Sequence, residues 1–170
     1  FPLVAALIVP GSEVTVANLG INPTRTGLFD VLEAMGAPVL LENRRDQGGE
    51  PVADATGRHA ELRAVEIRGE TVVRMIDEFP LLAVAATQAQ GTTVVHDAAE
   101  LRVKETDRIA VIASELTKMG ANITPRTDGF AVTGPTPLRG TRVNSHGDHR
   151  IAMALAVAGL LATRETVIER

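Results

Sequence analysis

The chain has 170 residues, 45% of them hydrophobic and 22% charged, with a formal net charge of −4 at pH 7. That composition supports one soluble globular domain with its own core and excludes a disordered or collagen-like chain. Four Phe, no Trp, no Tyr and a net negative charge supply neither base-stacking platforms nor a global positive field, which excludes nucleic acid and an anionic membrane as expected partners.

The first apolar run, 1–9, reads as a buried helix that Pro10-Gly11-Ser12 ends. It has no basic leader or small-residue cleavage site and is not read as a signal peptide. Its start on Phe1-Pro2 in mid-pattern, without Met, is expected to be a fragment boundary. Val14 and Val16 alternate in a short strand over 13–17. Asn22-Pro23-Thr24-Arg25-Thr26 then introduces an amphipathic helix with Leu28, Val31, Leu32 and Met35 on one face, stopped by Gly36. A strand over 38–41 follows. Segment 42–59, rich in Gly, Pro, Asp and Arg, is expected as an exposed hairpin or loop with Arg44 and Arg45 solvated, and 61–68 alternates like a strand.

The next stretch repeats the first. Phe79-Pro80-Leu81-Leu82-Ala83-Val84 echoes Phe1-Pro2-Leu3-Val4-Ala5-Ala6, Gly91-Thr92-Thr93-Val94-Val95 echoes Gly11-Ser12-Glu13-Val14-Thr15, and Met119-Gly120-Ala121 echoes Met35-Gly36-Ala37. A third copy starts at Asp148. The expected fold is therefore α+β (mixed α/β): one domain over 1–170 built of βαβαββ units at about 1–76, 77–147 and 148–170, the first and last incomplete, packed with quasi-threefold symmetry. Runs such as Leu81-Leu82-Ala83-Val84-Ala85-Ala86 and Ile151-Ala152-Met153-Ala154-Leu155 lack a polar face, so parallel helices should lie buried inside sheets whose outer faces are wet.

Two stretches carry chemistry. Leu101-Arg102-Val103-Lys104-Glu105-Thr106-Asp107-Arg108-Ile109 places five charged residues in nine positions before an apolar helix. The first N–H groups of a helix lack internal partners and carry the positive end of its dipole, so Lys104 and Arg108 there suit an anion; a solvated start capped by Thr106 or Asp107 is the alternative. Ser145-His146-Gly147-Asp148-His149-Arg150 repeats the construction before an apolar helix over 151–162. Two basic helix entrances, expected on one rim, point to a ligand with more than one anionic group.

The Leu101 to Ile109 run followed by Asp148-His149-Arg150-Ile151-Ala152-Met153-Ala154 resembles the enolpyruvyl transferase family, in its shikimate 3-phosphate branch, and the match to the carboxyl-terminal half covers nearly the whole chain. The resemblance implies two globular halves, each a threefold assembly of βαβαββ units, closing around the substrates. It implies transfer of the enolpyruvyl group of phosphoenolpyruvate to shikimate 3-phosphate, releasing phosphate, with no metal or organic cofactor. The absence of Cys fits a reducing cytoplasm, the expected compartment. The partner half and a closing segment with a further basic residue lie outside this chain, which alone is expected to fold but not to catalyse.

By the same resemblance, Asp77 is the carboxylate that bonds the sugar-like ring and accepts the hydroxyl proton, although an Asp before the helix at 79 is also a good cap. Glu78 beside it is expected to point elsewhere. Lys104 contacts both substrates, and Glu105 shuttles a proton to the methylene carbon. Arg108 and Arg150 hold the carboxylate and phosphate of phosphoenolpyruvate, a task suited to planar forked donors. His149 is a secondary candidate for the leaving phosphate. Glu100 stands where many relatives have an Asn on shikimate 3-phosphate, and a carboxylate there repels a phosphate. His96, Asp97, Arg102 and His146 receive no role. A sister activity on a UDP-aminosugar and a non-catalytic binding domain of the same fold are the alternatives; the intact Lys104-Glu105-Thr106-Asp107-Arg108 run favours the shikimate branch.

Overall fold

The helices that lack a polar face form the middle of the molecule, as their composition requires. In the computed structural model, which describes residues 1–170, helices α1 (Pro2–Ile8), α4 (Phe79–Ala86) and α6 (His149–Gly159) contribute to a single cluster of 39 buried residues. One cluster means one core. Every residue of α4 is buried, and α4 packs on α1, α6 and α5 (Arg108–Lys118). A proline in the first turn suits both α1 and α4, because the N–H it lacks has no partner there anyway. Phe79 meets Phe130 edge to face, ring centres 6.3 Å apart at 83°. The α6 surface differs from expectation: Met153, Ala156 and Leu160 are exposed, and the helix ends at Gly159 rather than 162.

Three sheets surround these helices. The first has the order β1-β3-β2, with β1 (Glu13–Gly20) and β2 (Leu40–Gln47) both antiparallel to β3 (Glu50–Arg58), and with helix α2 (Gly27–Ala34) between β1 and β2 in the chain. The second repeats the pattern. Its order is β4-β5-β7-β6, where β5 (Gly91–Val95), α5, β6 (Asn122–Arg126) and β7 (Gly129–Gly134) correspond to β1, α2, β2 and β3, and β4 (Glu66–Ile67) joins parallel to β5. A parallel pair, β8 (Arg142–Asn144) and β9 (Val167–Glu169), flanks α6. Hydrogen bonding thus groups β4 with β5 and β8 with β9, whereas the expected cuts after 76 and 147 separate these strands from their partners.

Of the hairpin and the loop expected over 42–59, the structure has the hairpin, exposed along β2 but buried along much of β3. The hairpin is long and turned by Gly48 and Gly49, both at positive φ, and β3 is the central strand, burying Val52, Ala53, Ala55 and Thr56. Two bulges mask the alternation. The register shifts between Val16 and Leu19 on one side of β3 and between Glu42 and Arg45 on the other, and Asp54 occupies both: its carboxylate accepts from Asn18 N at 3.0 Å, Asn43 Nδ2 at 2.9 Å and Arg45 Nη2 at 3.0 Å. Asn18 and Asn43 are in the left-handed region, which Asn tolerates. Arg45 is exposed, as expected, but it lies on a strand and links the two bulges. The strand expected over 61–68 reduces to β4 and a bridge between Arg63 and Gln90, followed by an unexpected short helix α3 (Glu70–Val73). No helix is long and apolar enough to cross a membrane.

Candidate active site

Two aspartates set the two basic helix entrances. Asp107 caps α5, accepting from Ala110 N at 3.0 Å, and Asp148 caps α6, accepting from Arg150 N at 2.8 Å and Ile151 N at 3.4 Å. Thr106 is not the α5 cap; its hydroxyl donates to Asp148 Oδ2 at 3.2 Å. Asp148 has no exposed side-chain surface and also takes Arg108 Nε at 2.8 Å. One carboxylate thereby ties the entrance of α5 to that of α6. Burial alone raises the Asp148 carboxyl, but the bonds from Arg108 and from the α6 N–H groups outweigh it and hold it below the usual carboxylate range.

Arg108 is 2% exposed and spends its fork on carboxylates: Nη1 donates to Asp77 Oδ1 at 3.1 Å and Nη2 to Glu105 Oε2 at 2.6 Å. Desolvation works against its charge, but the bonds to Asp148 and Asp77 keep the guanidinium more firmly protonated than a free one. Arg150 approaches from the other side, Nη2 lying 3.6 Å from Asp77 Oδ2 and Nη1 donating to Glu78 Oε1 at 3.4 Å. Asp77 therefore bridges the two arginines. It is not a cap: Glu78 holds the N-cap position of α4 and makes no side-chain cap bond. Glu78, expected to point away, instead faces Arg150, and burial raises its carboxyl above the ordinary value.

The Lys104 loop is held by Arg102, a residue without a role in the sequence pattern. It donates through Nε to Thr127 O at 2.7 Å, through Nη1 to Asp107 Oδ2 at 2.6 Å, and through Nη2 to Arg126 O. Arg102 staples the 3-10 turn Ala99–Val103 to the β6–β7 turn and to the α5 cap. Lys104 Nζ meets Glu100 Oε1 at 2.5 Å. His146 likewise gains a partner, its Nε2 lying 3.4 Å from Oε1 of the buried Glu115, whose Oε2 accepts from Asn144 N at 2.9 Å. His149 stands apart from these charges, exposed, lining an open cleft of about 380 Å³ beside β9.

The two basic helix entrances are rich in acids as well. Lys104, Arg108 and Arg150 face five carboxylates, those of Asp77, Glu78, Glu100, Glu105 and Asp148, and each cation is paired. A small anion reaches Arg108 only by exchange with Asp77 or Glu105.

A family model described as EPSP synthase (3-phosphoshikimate 1-carboxyvinyltransferase) matches residues 1–170. The chain belongs to the EPSP synthase family. A 3-phosphoshikimate 1-carboxyvinyltransferase from Gloeothece citriformis (strain PCC 7424) is 58% identical over 170 residues, 100% of this chain and 38% of the relative. One from Brevibacillus brevis is 53% identical over 169 residues, 99% of this chain and 40% of the relative. Among solved structures, an EPSP synthase from Acinetobacter baumannii superposes with a TM-score of 0.94 at 43% identity, over 98% of this chain and 39% of that one. The enolpyruvyl transferase NikO from Streptomyces tendae, at 24% identity and a TM-score of 0.72 over 94% of this chain and 35% of that one, shares the fold. The chain thus spans about two fifths of the EPSP synthase relatives' length.

Of the candidates that the family resemblance named, Asp77, Glu105, Arg108 and Arg150 form one network, Lys104 adjoins it through the same loop, and His149 lies outside. Sequence reasoning missed Asp148 as the hub, seeing only a cap, and missed Arg102 and Glu115 as anchors. The partners that anchor them across the fold, Arg108 for Asp148, Thr127 O and Arg126 O for Arg102 and Asn144 N for Glu115, lie 24 to 40 residues away, which no local pattern displays.

Proposed function

We propose that this chain is part of an enzyme that transfers the enolpyruvyl group of phosphoenolpyruvate to a hydroxyl of shikimate 3-phosphate, releasing phosphate, in the cytoplasm. The observation that carries the reading is Asp77: a carboxylate free of any capping duty, held between Arg108 and Arg150. In this reading Asp77 takes the proton of the attacking hydroxyl, Glu105 delivers a proton to the methylene carbon, and Lys104 contacts both substrates. Arg108 and Arg150 hold the carboxylate and phosphate of phosphoenolpyruvate, exchanging carboxylate partners for substrate oxygens. Loss of a methyl proton and of phosphate then restores the double bond in the product.

The charge balance supports a second half. Three cations matched by five acids do not by themselves neutralise two phosphorylated substrates, so further cations and the exclusion of water come from the rest of a two-half enzyme. The test is complementation: this chain combined with the remaining segments of an EPSP synthase relative is expected to release phosphate from the two substrates, and the chain alone is not. Release by the chain alone, or none from a complemented enzyme whose halves associate, overturns the reading.

A further inference from the structure

We propose that Glu100 is an affinity-determining residue of this anion site, a resident carboxylate that occupies the Lys104 ammonium and must be displaced before a phosphate-bearing ligand can bind there. The proposal rests on the reading of the rim as an anion site and deepens it.

Lys104 Nζ has one hydrogen-bond partner, Glu100 Oε1 at 2.5 Å, and Glu100 has no other. The two members of the pair are not equivalent. The Lys104 side chain is 24% exposed and the Glu100 side chain 64%, so the lysine stem is packed while the carboxylate swings in solvent. The remaining acids of the rim cannot take its place: Glu105 and Asp77 are drawn to Arg108, and Glu78 to Arg150. Glu100 is thus the acid most readily expelled, and it supports no buried group whose loss would disturb the fold. It lies at the first turn of Ala99–Val103, four residues before Lys104, where its charge faces any anion that approaches the ammonium.

Two electrostatic effects then have the same sign. Glu100 competes with the ligand for Lys104, and it repels a ligand that carries negative charge. An exposed ion pair of this kind corresponds to roughly a two- to fivefold factor in an equilibrium constant. Removing the carboxylate should therefore tighten anion binding, whereas removing a ligand-contacting residue weakens it. A surface residue with no part in the site leaves affinity unchanged. The direction of the change separates all three cases.

The experiment is a heteronuclear NMR titration of the complemented enzyme, this chain combined with the remaining segments of an EPSP synthase relative, with phosphoenolpyruvate at low ionic strength, where surface charges are least screened. Wild type, Glu100→Gln, Lys104→Gln and the double variant are compared. Glu100→Gln is expected to lower the apparent Kd about two- to fivefold, and the gain should shrink in the Lys104→Gln background. Equal or weaker binding by Glu100→Gln, with wild type binding measurably, overturns the proposal alone. An undiminished gain in the Lys104→Gln background overturns the assignment of Lys104 as the contested group. Absence of binding by all four proteins overturns both this proposal and the anion-site reading beneath it.

Discussion

Asp77 and Asp148 grip the same guanidinium, Arg108, from two sides, at 3.1 Å on Nη1 and 2.8 Å on Nε, yet only Asp148 is fully buried. Removing Asp77 tests the proposed role of its carboxylate in chemistry; removing Asp148 strands a buried charge.

Asp77→Asn in a complemented enzyme is expected to lower phosphate release by a factor of roughly 10²–10⁴, the range for loss of a general base. Stability should change little, by about 1 kcal/mol, because Arg108 keeps Asp148 and Glu105 and no helix cap is lost. Turnover and melting temperature measured on the same preparation check this; unchanged turnover with a lowered melting temperature returns Asp77 to a structural role.

Asp148→Ala acts the other way. It leaves a guanidinium with 2% exposure short of its main partner, a defect of about 3–5 kcal/mol, and removes the α6 cap, about 1 kcal/mol more. Asp148→Asn keeps a capping oxygen and should be less damaging. Urea unfolding of the three proteins is expected to rank wild type above Asn above Ala.

The pH dependence follows from the depressed carboxyls. Asp148 and Glu115 titrate below their ordinary values in the folded chain, so each contributes stability that is present above the unfolded carboxylate range, about pH 4, and is lost as pH falls through the folded value. For Glu115 burial pushes upward, and the bonds from Lys118, Asn144 N and His146 prevail. Glu78 is raised and has the opposite sign, favouring the folded state as it takes up a proton. Two downward shifts on buried groups outweigh one upward shift, so stability should fall on acidification below about pH 4. Glu115→Gln is expected to flatten that fall, read from unfolding midpoints at pH 7, 4 and 3.

Gly57→Ala tests how closely β3 approaches α1. A Cβ at Gly57 lies 2.9 Å from the Leu3 carbonyl oxygen, a backbone atom that cannot swing aside. The expected cost is about 1–3 kcal/mol, seen as a lower melting temperature. Gly48→Ala, at a turn with open space around it, tests backbone strain alone and should cost less.

The elements legible in the sequence are those whose signal is local. The apolar runs of α1 and α4, the cap-and-helix pattern at Asp107 and Asp148, and the Met-Gly stops of α2 and α5 all lie within one turn of the residues that form them. A hairpin over 42–59 is among the expectations, but the burial of β3 is obscured because Asn18 and Asn43 interrupt the alternation and charged residues crowd β2, while β3 packs its small side chains against α1. At the site, the resemblance named Asp77, Glu105, Arg108 and Arg150 together, but not that acids would outnumber the cations. Some of the pairing is local, Glu100 with Lys104 and Glu105 with Arg108, but the rest comes from residues 31 to 72 positions away, Asp77 for Arg108 and Glu78 for Arg150.

The shared aspartate at the two helix starts also acts as a gauge. Because Asp148 caps the helix that carries Arg150 and holds the guanidinium of Arg108, the span between the two arginines is set in part by one short side chain, beside Asp77, which contacts both guanidinium groups. Insertions in the loop after Gly120 or around Gly140 leave that span untouched, whereas lengthening the single side chain, as in Asp148→Glu, moves one anchor by about one methylene relative to the other. On the proposed reading, a ligand whose two anionic ends match the original span is expected to lose its fit, and one slightly longer to gain it.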